Sequence, residues 1–171
     1  TQEAGTNIAE LGYKGWATDK GPYARCEEEF LKSRLPVLDT LKLAFMVDVT
    51  EFIGMDADLV IPRACDSVFD YVRIATRIED LDKAQEMVSY MKTKGYIPIV
   101  NIMGASLLKS ADLTEAAKSL AQAKILYFAD SLGSLGPTEC IDKLNAIKSI
   151  RDGCGFHSHD NQGLAIANSM A

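Results

Sequence analysis

The only two histidines of the 171-residue chain stand two positions apart, in the segment GFHSHDNQG. Residues i and i+2 of a β-strand point to the same face of a sheet, so a strand here would aim His157 and His159 in one direction. Two neutral imidazoles side by side are suitable ligands for a divalent metal ion. The alternative is a pair of half-buried sheet histidines with ordinary hydrogen-bond partners.

The composition is that of a globular protein, with 47% apolar and 25% charged residues. The formal net charge is -6 and no basic patch stands out, so no nucleic-acid partner is expected. No apolar run approaches the roughly 18 residues of a membrane-spanning helix, and no signal peptide is recognisable, so no membrane partner is expected either. The four cysteines lack CxxC spacing and indicate reduced thiols in a cytoplasmic protein, most simply as small core residues: Cys26, Cys65, Cys140 and Cys154.

Short apolar segments alternate with longer amphipathic ones along the chain. Successive apolar segments begin about 30 residues apart, the length of one strand with its crossover helix. This alternation predicts a mostly parallel sheet in an α/β fold. The predicted strands are residues 8–13, 41–49, 71–76, 97–103, 125–130 and 155–160.

Several helices carry start or stop signals. An apolar face that runs from Ile78 to Met91 predicts a helix, and Gly95 stands just after it, at the position where glycine commonly ends a helix. Asp112 and Glu115 have the spacing of a capping box. Gly136-Pro137 predicts the start of a further helix, whose inward face should hold Ile141, Leu144, Ile147 and Ile150.

Two architectures fit such a pattern, an open doubly wound sheet and a (β/α)8 barrel. The G-x-G-x-x-G fingerprint of dinucleotide-binding sheets is absent. A barrel needs eight units and about 250 residues, so we predict a TIM barrel that is incomplete, with strands 2 to 7 in one partial catalytic domain over residues 1–171. Polar residues at the carboxyl ends of several strands favour this choice, because those ends meet at one mouth: Glu10, Asp48, Asn101, Asp130, His157 and His159.

Residues 157–168, HSHDNQGLAIAN, resemble the seventh-strand signature of the DRE-type TIM-barrel metallolyases at every fixed position. Two further stretches are similar to that family in the same order: EAGTNIAELGY, which carries Glu10, and FADSLGSLGPTEC, which carries Asp130 and Ser131. The strand YVRIAT resembles the 4-hydroxy-2-oxovalerate aldolases of the family in particular. The resemblance spans nearly the whole chain, and it implies that the first and last strands are missing.

The resemblance implies a divalent cation, Mn²⁺ or Mg²⁺, with His157 and His159 as two of its ligands. A third ligand, a carboxylate beside an arginine on the family's first strand, has no counterpart in this sequence. The implied reaction makes or breaks a carbon–carbon bond of a 2-oxo acid through a metal-stabilised, pyruvate-type enolate. A homodimer is a candidate assembly, since barrels of this family are often dimers.

Three further residues are candidates for the site. Glu10 is expected either to hydrogen-bond a metal-bound water or the first-strand arginine, or to be paired structurally inside the barrel. Asp130 either orients a histidine or closes an Asx-turn. Ser131 is a candidate hydrogen-bond partner of the substrate.

The remaining polar residues near the strand ends are expected to be structural. Arg73 and Asn101 are predicted to pair with neighbouring strands. Asp160 and Asn161 are predicted to cap the next helix, and Asn168 to hold a loop.

Three functions stay open from the sequence. The first is a metal-dependent aldolase acting on a 2-oxo acid. The second is a Claisen-type acyl-CoA condensing synthase in the same fold. The third is a non-catalytic barrel that serves binding or assembly.

Overall fold

The computed structural model describes residues 4–15, 21–36, 38, 40–52 and 57–171. Within these ranges six strands are present: β1 Ile8–Tyr13, β2 Lys42–Asp48, β3 Tyr71–Thr76, β4 Ile97–Ile102, β5 Ile125–Ala129 and β6 Cys154–His157. The helices there are α1 Gly21–Ala24, α2 Glu28–Arg34, α3 Leu81–Thr93, α4 Ser110–Ser119, α5 Pro137–Lys148 and α6 Ala165–Met170. None of these helices is long and apolar enough to cross a membrane.

The six strands form one parallel sheet whose spatial order is the chain order, β1-β2-β3-β4-β5-β6. Right-handed crossovers that always advance in one direction place every helix on the same face. A doubly wound sheet would reverse its order and carry helices on both faces. The strand order therefore selects between the two predicted architectures and confirms the curled half of a TIM barrel.

The hydrophobic core lies between the sheet and its helices. On β2, Leu43, Phe45 and Val47 are buried on the helix side. The Phe45 ring packs edge-on against Phe69 and Tyr96, with both pairs of ring centroids 5.2 Å apart. Burying one such aromatic side chain contributes about 1.5–3 kcal/mol, so this layer stabilises the fold and leaves the inner face of the sheet for polar groups.

Two of the predicted helix boundaries are confirmed. Gly95, which follows the C-cap residue Lys94 of α3, has a φ of 91°, a backbone conformation that glycine adopts without strain. Helix α5 begins at Pro137, and Glu139 Oε2 accepts a hydrogen bond from the Gly136 N–H at 2.9 Å.

Two helix predictions are wrong. The predicted capping box of Asp112 and Glu115 would place Asp112 at the residue before the helix. Helix α4 instead begins at Ser110, so Asp112 lies inside the first turn, where it accepts the Lys109 N–H at 2.8 Å. On α5, Ile147 is buried but Ile141 is 40% exposed, and Ile150, which lies beyond the end of the helix at Lys148, is 41% exposed. The buried stripe of α5 faces α4 and β6, and these two isoleucines lie outside it.

Candidate functional site

The histidine pair lies where β6 ends. The predicted strand 155–160 is wrong at its carboxyl end, because β6 stops at His157. Its neighbour β5 ends at Ala129, and the Asp130 N–H makes the last rung to the His157 carbonyl at 3.0 Å. His159 therefore follows the strand, yet the two imidazole centroids lie only 5.1 Å apart, with their planes inclined by 46°. The strand argument was wrong in detail, and the two rings still come together.

Arg73, near the middle of β3, connects the two edges of the half-barrel. Its Nε and Nη2 donate to the two carboxylate oxygens of Glu10 on β1, at 2.6 and 2.8 Å. Its Nη1 lies 3.0 Å from Nδ1 of His157 on β6. One side chain can span both edge strands only because the sheet curls around it. For Glu10, the arrangement is the internal structural pairing that the sequence offered as one of two alternatives.

The contact with Arg73 decides the protonation of His157. A guanidinium can only donate, so Nδ1 must be the acceptor and the ring proton lies on Nε2. Burial, followed by the charge of Arg73 and the nearby His159, lowers the pKa of His157. The ring is therefore neutral at neutral pH, which is the form that binds metal ions.

The two rings fit part of a metal site. Both imidazoles offer nitrogen donors of the kind that divalent ions accept. In the part of the chain that the structure describes, no group of three or more His, Cys, Asp or Glu side chains could hold a metal ion. Two imidazoles are thus in place, but Arg73 occupies the single lone pair of neutral His157, so a metal ion would have to displace this hydrogen bond.

A cavity of about 320 Å³ lies on the inner face of the sheet. Its volume falls at the small end of the range for small-molecule sites. The walls combine apolar side chains with the charged pair and His157: Ile8, Ala44, Ile99, Tyr127, Phe156, Glu10, Arg73 and His157. Because Glu10 already neutralises Arg73, the cavity wall carries one charged pair and one imidazole among apolar side chains.

Asp130 and Ser131 organise the loop that follows β5. The buried Asp130 carboxylate accepts the N–H groups of Ser134 and Leu135, at 3.0 and 2.9 Å. These bonds correspond to the turn-closing alternative, and the contact between Asp130 and His157 is the main-chain hydrogen bond from the Asp130 N–H to the His157 carbonyl. Ser131 Oγ accepts the Gly104 N–H at 3.0 Å, which ties this loop to the loop after β4.

The histidine motif holds the same loop from the other side. Asn161 donates to the Leu132 carbonyl at 3.0 Å, so the predicted helix cap is wrong for this residue. Gly133 has a φ of 60°, and a Cβ there would lie 2.7 Å from the Asn161 side chain. The close approach explains why the loop needs glycine at this position.

Two other residues of the motif behave as predicted. Asp160 accepts the Ala165 N–H at 2.9 Å and caps α6. Asn168 is 5% exposed and donates to the Leu135 carbonyl at 2.8 Å. The motif after His159 therefore locks α6 and the β5 loop together around the histidine pair.

Sequence reasoning misjudged Arg73 and Asn101, which were assigned to pairing with neighbouring strands. Arg73 Nη2 lies 3.2 Å from the Met46 sulfur on the neighbouring strand β2, but its bonds to Glu10 and His157 reach the two edge strands. A lone charge inside YVRIAT was its only signal. Asn101, on β4, is 5% exposed, and its Oδ1 has no hydrogen-bond partner within the described residues. Nothing local in the sequence distinguishes it from a paired strand residue.

Comparisons with known proteins agree with this geometry. The sequence profile of the HMGL-like family matches residues 58–171. The 4-hydroxy-2-oxovalerate aldolase of Pelotomaculum thermopropionicum is 30% identical over 176 residues, which cover 99% of this chain and 51% of that protein. The chain spans about half the length of the curated relatives it matches.

Two solved structures resemble the fold. The N-terminal domain of a candidate aldolase from Bacteroides vulgatus matches with a TM-score of 0.81 at 23% identity, over 96% of this chain and 56% of that one. HMG-CoA lyase from Brucella melitensis matches with a TM-score of 0.70 at 12% identity, over 98% of this chain and 65% of that one. At these identities the likeness supports the barrel fold.

Proposed function

Since the chain belongs to the HMGL-like family, we propose that it forms part of the active centre of a divalent-metal-dependent aldolase. The substrate class is a 2-oxo acid, cleaved or formed at a carbon–carbon bond. The relatives named 4-hydroxy-2-oxovalerate aldolase support this choice over the acyl-CoA synthases.

The observation that carries the proposal is the position of the two imidazoles at the mouth, beside the Arg73–Glu10 pair. Their centroids are 5.1 Å apart. The pKa of His157 is held below its usual range, so at neutral pH no second proton competes with a metal ion for this ring. His157 and His159 would hold Mn²⁺ or Mg²⁺. When bound, such an ion supplies Lewis-acid stabilisation of negative charge on the oxygens of a 2-oxo acid.

The other residues of the chain act on position and charge. Glu10 neutralises Arg73 and fixes its guanidinium in the cavity wall through two bonds. Asp130 and Ser131 keep the β5 loop rigid beside His157. Preorganisation of this kind lowers the reorganisation that a polar reaction otherwise requires.

The test is metal removal and restoration in the intact protein, with pyruvate release from 4-hydroxy-2-oxovalerate as the readout. We expect activity to vanish with a chelator and to return with Mn²⁺, and His157→Ala to abolish both activity and Mn²⁺ binding. Acetyl-CoA consumption in the presence of a 2-oxo acid, without pyruvate release, would favour the synthase instead. Neither activity nor Mn²⁺ binding would indicate a non-catalytic barrel.

A further inference from the structure

One tyrosine of the cavity wall, Tyr127, takes no part in the contacts that surround Arg73. Tyr127 lies on β5 between Leu126 and Phe128, which are both fully buried in the core between the sheet and the helices. Because side chains alternate between the two faces along a strand, Tyr127 faces the interior of the half-barrel. It is half-buried there and lines the cavity of about 320 Å³.

The neighbouring strand makes room for the Tyr127 ring. Gly155 on β6 is paired with Tyr127 in the sheet, and a Cβ at this glycine would lie 2.2 Å from Tyr127 Cε1 and 3.0 Å from Cζ. Gly155 has no positive φ, so its backbone conformation does not require glycine. The close approach of the ring does, as is common for a glycine within a strand, and a larger residue would displace the phenol group.

The ring of Tyr127 thereby lies on the β6 side of the cavity, where His157 also lies. Residues 155 and 157 share one face of β6, and Tyr127 and His157 both line the cavity. The Tyr127 hydroxyl makes no hydrogen bond to any residue that the structure describes. Other polar atoms of the wall are engaged with one another, since both carboxylate oxygens of Glu10 and Nδ1 of His157 bond to Arg73.

These contacts determine what a carboxylate would meet in the cavity. The rest of the wall is apolar, with side chains such as Ile99 and Phe156, so a carboxylate that enters loses hydration and needs hydrogen-bond donors. Arg73 is already neutralised by Glu10, whereas the Tyr127 O–H can donate without giving up a bond to a described residue. A carboxylate has about four acceptor sites on its two oxygens, so it can accept this bond and keep others.

We propose that Tyr127, placed by Gly155, donates a hydrogen bond to the carboxylate of the 2-oxo acid. This inference rests on the proposed aldolase function and adds a substrate-binding residue to it. Gly155 is a positioning residue that acts through the Tyr127 ring. The aldehyde fragment of the same reaction has no carboxylate, so Tyr127 acts on the binding of one fragment and not on that of the other.

The two fragments allow the role of the carboxylate to be tested by itself. In the direction of synthesis, 4-hydroxy-2-oxovalerate forms from pyruvate, which carries the carboxylate, and acetaldehyde, which has none. In the intact protein, Tyr127→Phe keeps the ring beside Gly155 and removes only the hydroxyl. It should raise the KM for pyruvate by about 10- to 100-fold, the effect of one lost hydrogen bond to a charged group, and leave the KM for acetaldehyde within about twofold. Tyr23→Phe is the matched control, since Tyr23 is 59% exposed, and it should change neither KM.

A thermal melt separates substrate binding from a role in the fold. The Tm of Tyr127→Phe should stay within about 2 °C of wild type, because the lost hydroxyl bonds to no described residue. Gly155→Ala should also raise the KM for pyruvate by displacing the ring, and the double variant should be no worse than Tyr127→Phe alone, because the two residues act as one unit.

Three results would overturn the inference and leave the aldolase function intact. They are an unchanged KM for pyruvate in Tyr127→Phe, an equal rise in both KM values, and a large fall in the Tm of this variant. A wild-type protein that neither forms nor cleaves 4-hydroxy-2-oxovalerate would overturn the proposed function and this inference with it.

Discussion

Replacing Arg73 by methionine is expected to tighten Mn²⁺ binding at the histidine pair. In the metal-free chain, Arg73 Nη1 donates to His157 Nδ1 at 3.0 Å. A neutral imidazole has one lone pair, so the ion and the guanidinium compete for it. The substitution also removes a positive charge from beside the ion, which acts in the same direction.

The magnitude follows from the exposure of the groups. The Arg73 side chain is 18% exposed and that of Glu10 is 32% exposed, so solvent screens these bonds in part. A hydrogen bond from a charged donor contributes about 1.5–3 kcal/mol, and partial exposure favours the lower end. About 1.4 kcal/mol corresponds to a tenfold change in Kd. Loss of the Glu10 pair should cost about 1 kcal/mol of stability, or about 2–4 °C in Tm.

Isothermal titration with Mn²⁺ alone measures this effect without any substrate. Arg77→Met is the matched control, because Arg77 is exposed at the end of β3 and its loss removes the same charge. We expect the Kd to fall about tenfold in Arg73→Met and to stay nearly unchanged in Arg77→Met. An unchanged or weaker affinity in Arg73→Met would refute the competition between arginine and ion.

Further substitutions address the histidines, the thiols and the β5 loop. His159→Ala should abolish tight Mn²⁺ binding and leave the Tm of the metal-free protein unchanged. His157→Ala should also abolish Mn²⁺ binding, and it should lower the metal-free Tm by about 2–4 °C. If calorimetry shows that either metal-free variant is unfolded, the pair has a structural role instead. Burial raises the pKa of Cys26 from its ordinary 9.0 to about 12. The folded state then keeps a proton that the unfolded state releases, so this thiol makes stability fall above pH 9.0 by up to about 1.4 kcal/mol per pH unit. Denaturant melts at pH 8 to 11 should show a shallower decline in Cys26→Ala, and the exposed Cys65 should react with an alkylating reagent long before Cys26. Gly133→Ala should cost about 1–3 kcal/mol, because it strains a positive φ and crowds the neighbouring loop; a Tm within 1 °C of wild type would contradict the close packing seen there.

Local patterns in the sequence determined most of the secondary structure. The strands at Ile8–Tyr13 and Tyr71–Thr76 have the bounds that their apolar runs predicted. Gly95 and Pro137 mark helix boundaries because one residue's backbone preference is enough to end or start a helix. The histidine pair was also recognisable, since its spacing and the residues that follow it are contiguous.

The tertiary structure alone decided which atoms meet. Arg73 is 63 residues from Glu10 and 84 from His157, and only the curl of the sheet brings the three together. The irregularity in β1, where Glu10 pairs with Ala44 but Gly12 pairs with Phe45, depends on the register between β1 and β2, and no pattern within β1 encodes it. Asn161 resembled a helix cap in the sequence, but it bonds to a loop 29 residues earlier in the chain. Periodicity and capping depend on neighbours along the chain, whereas hydrogen-bond partners depend on where the packed strands bring distant residues.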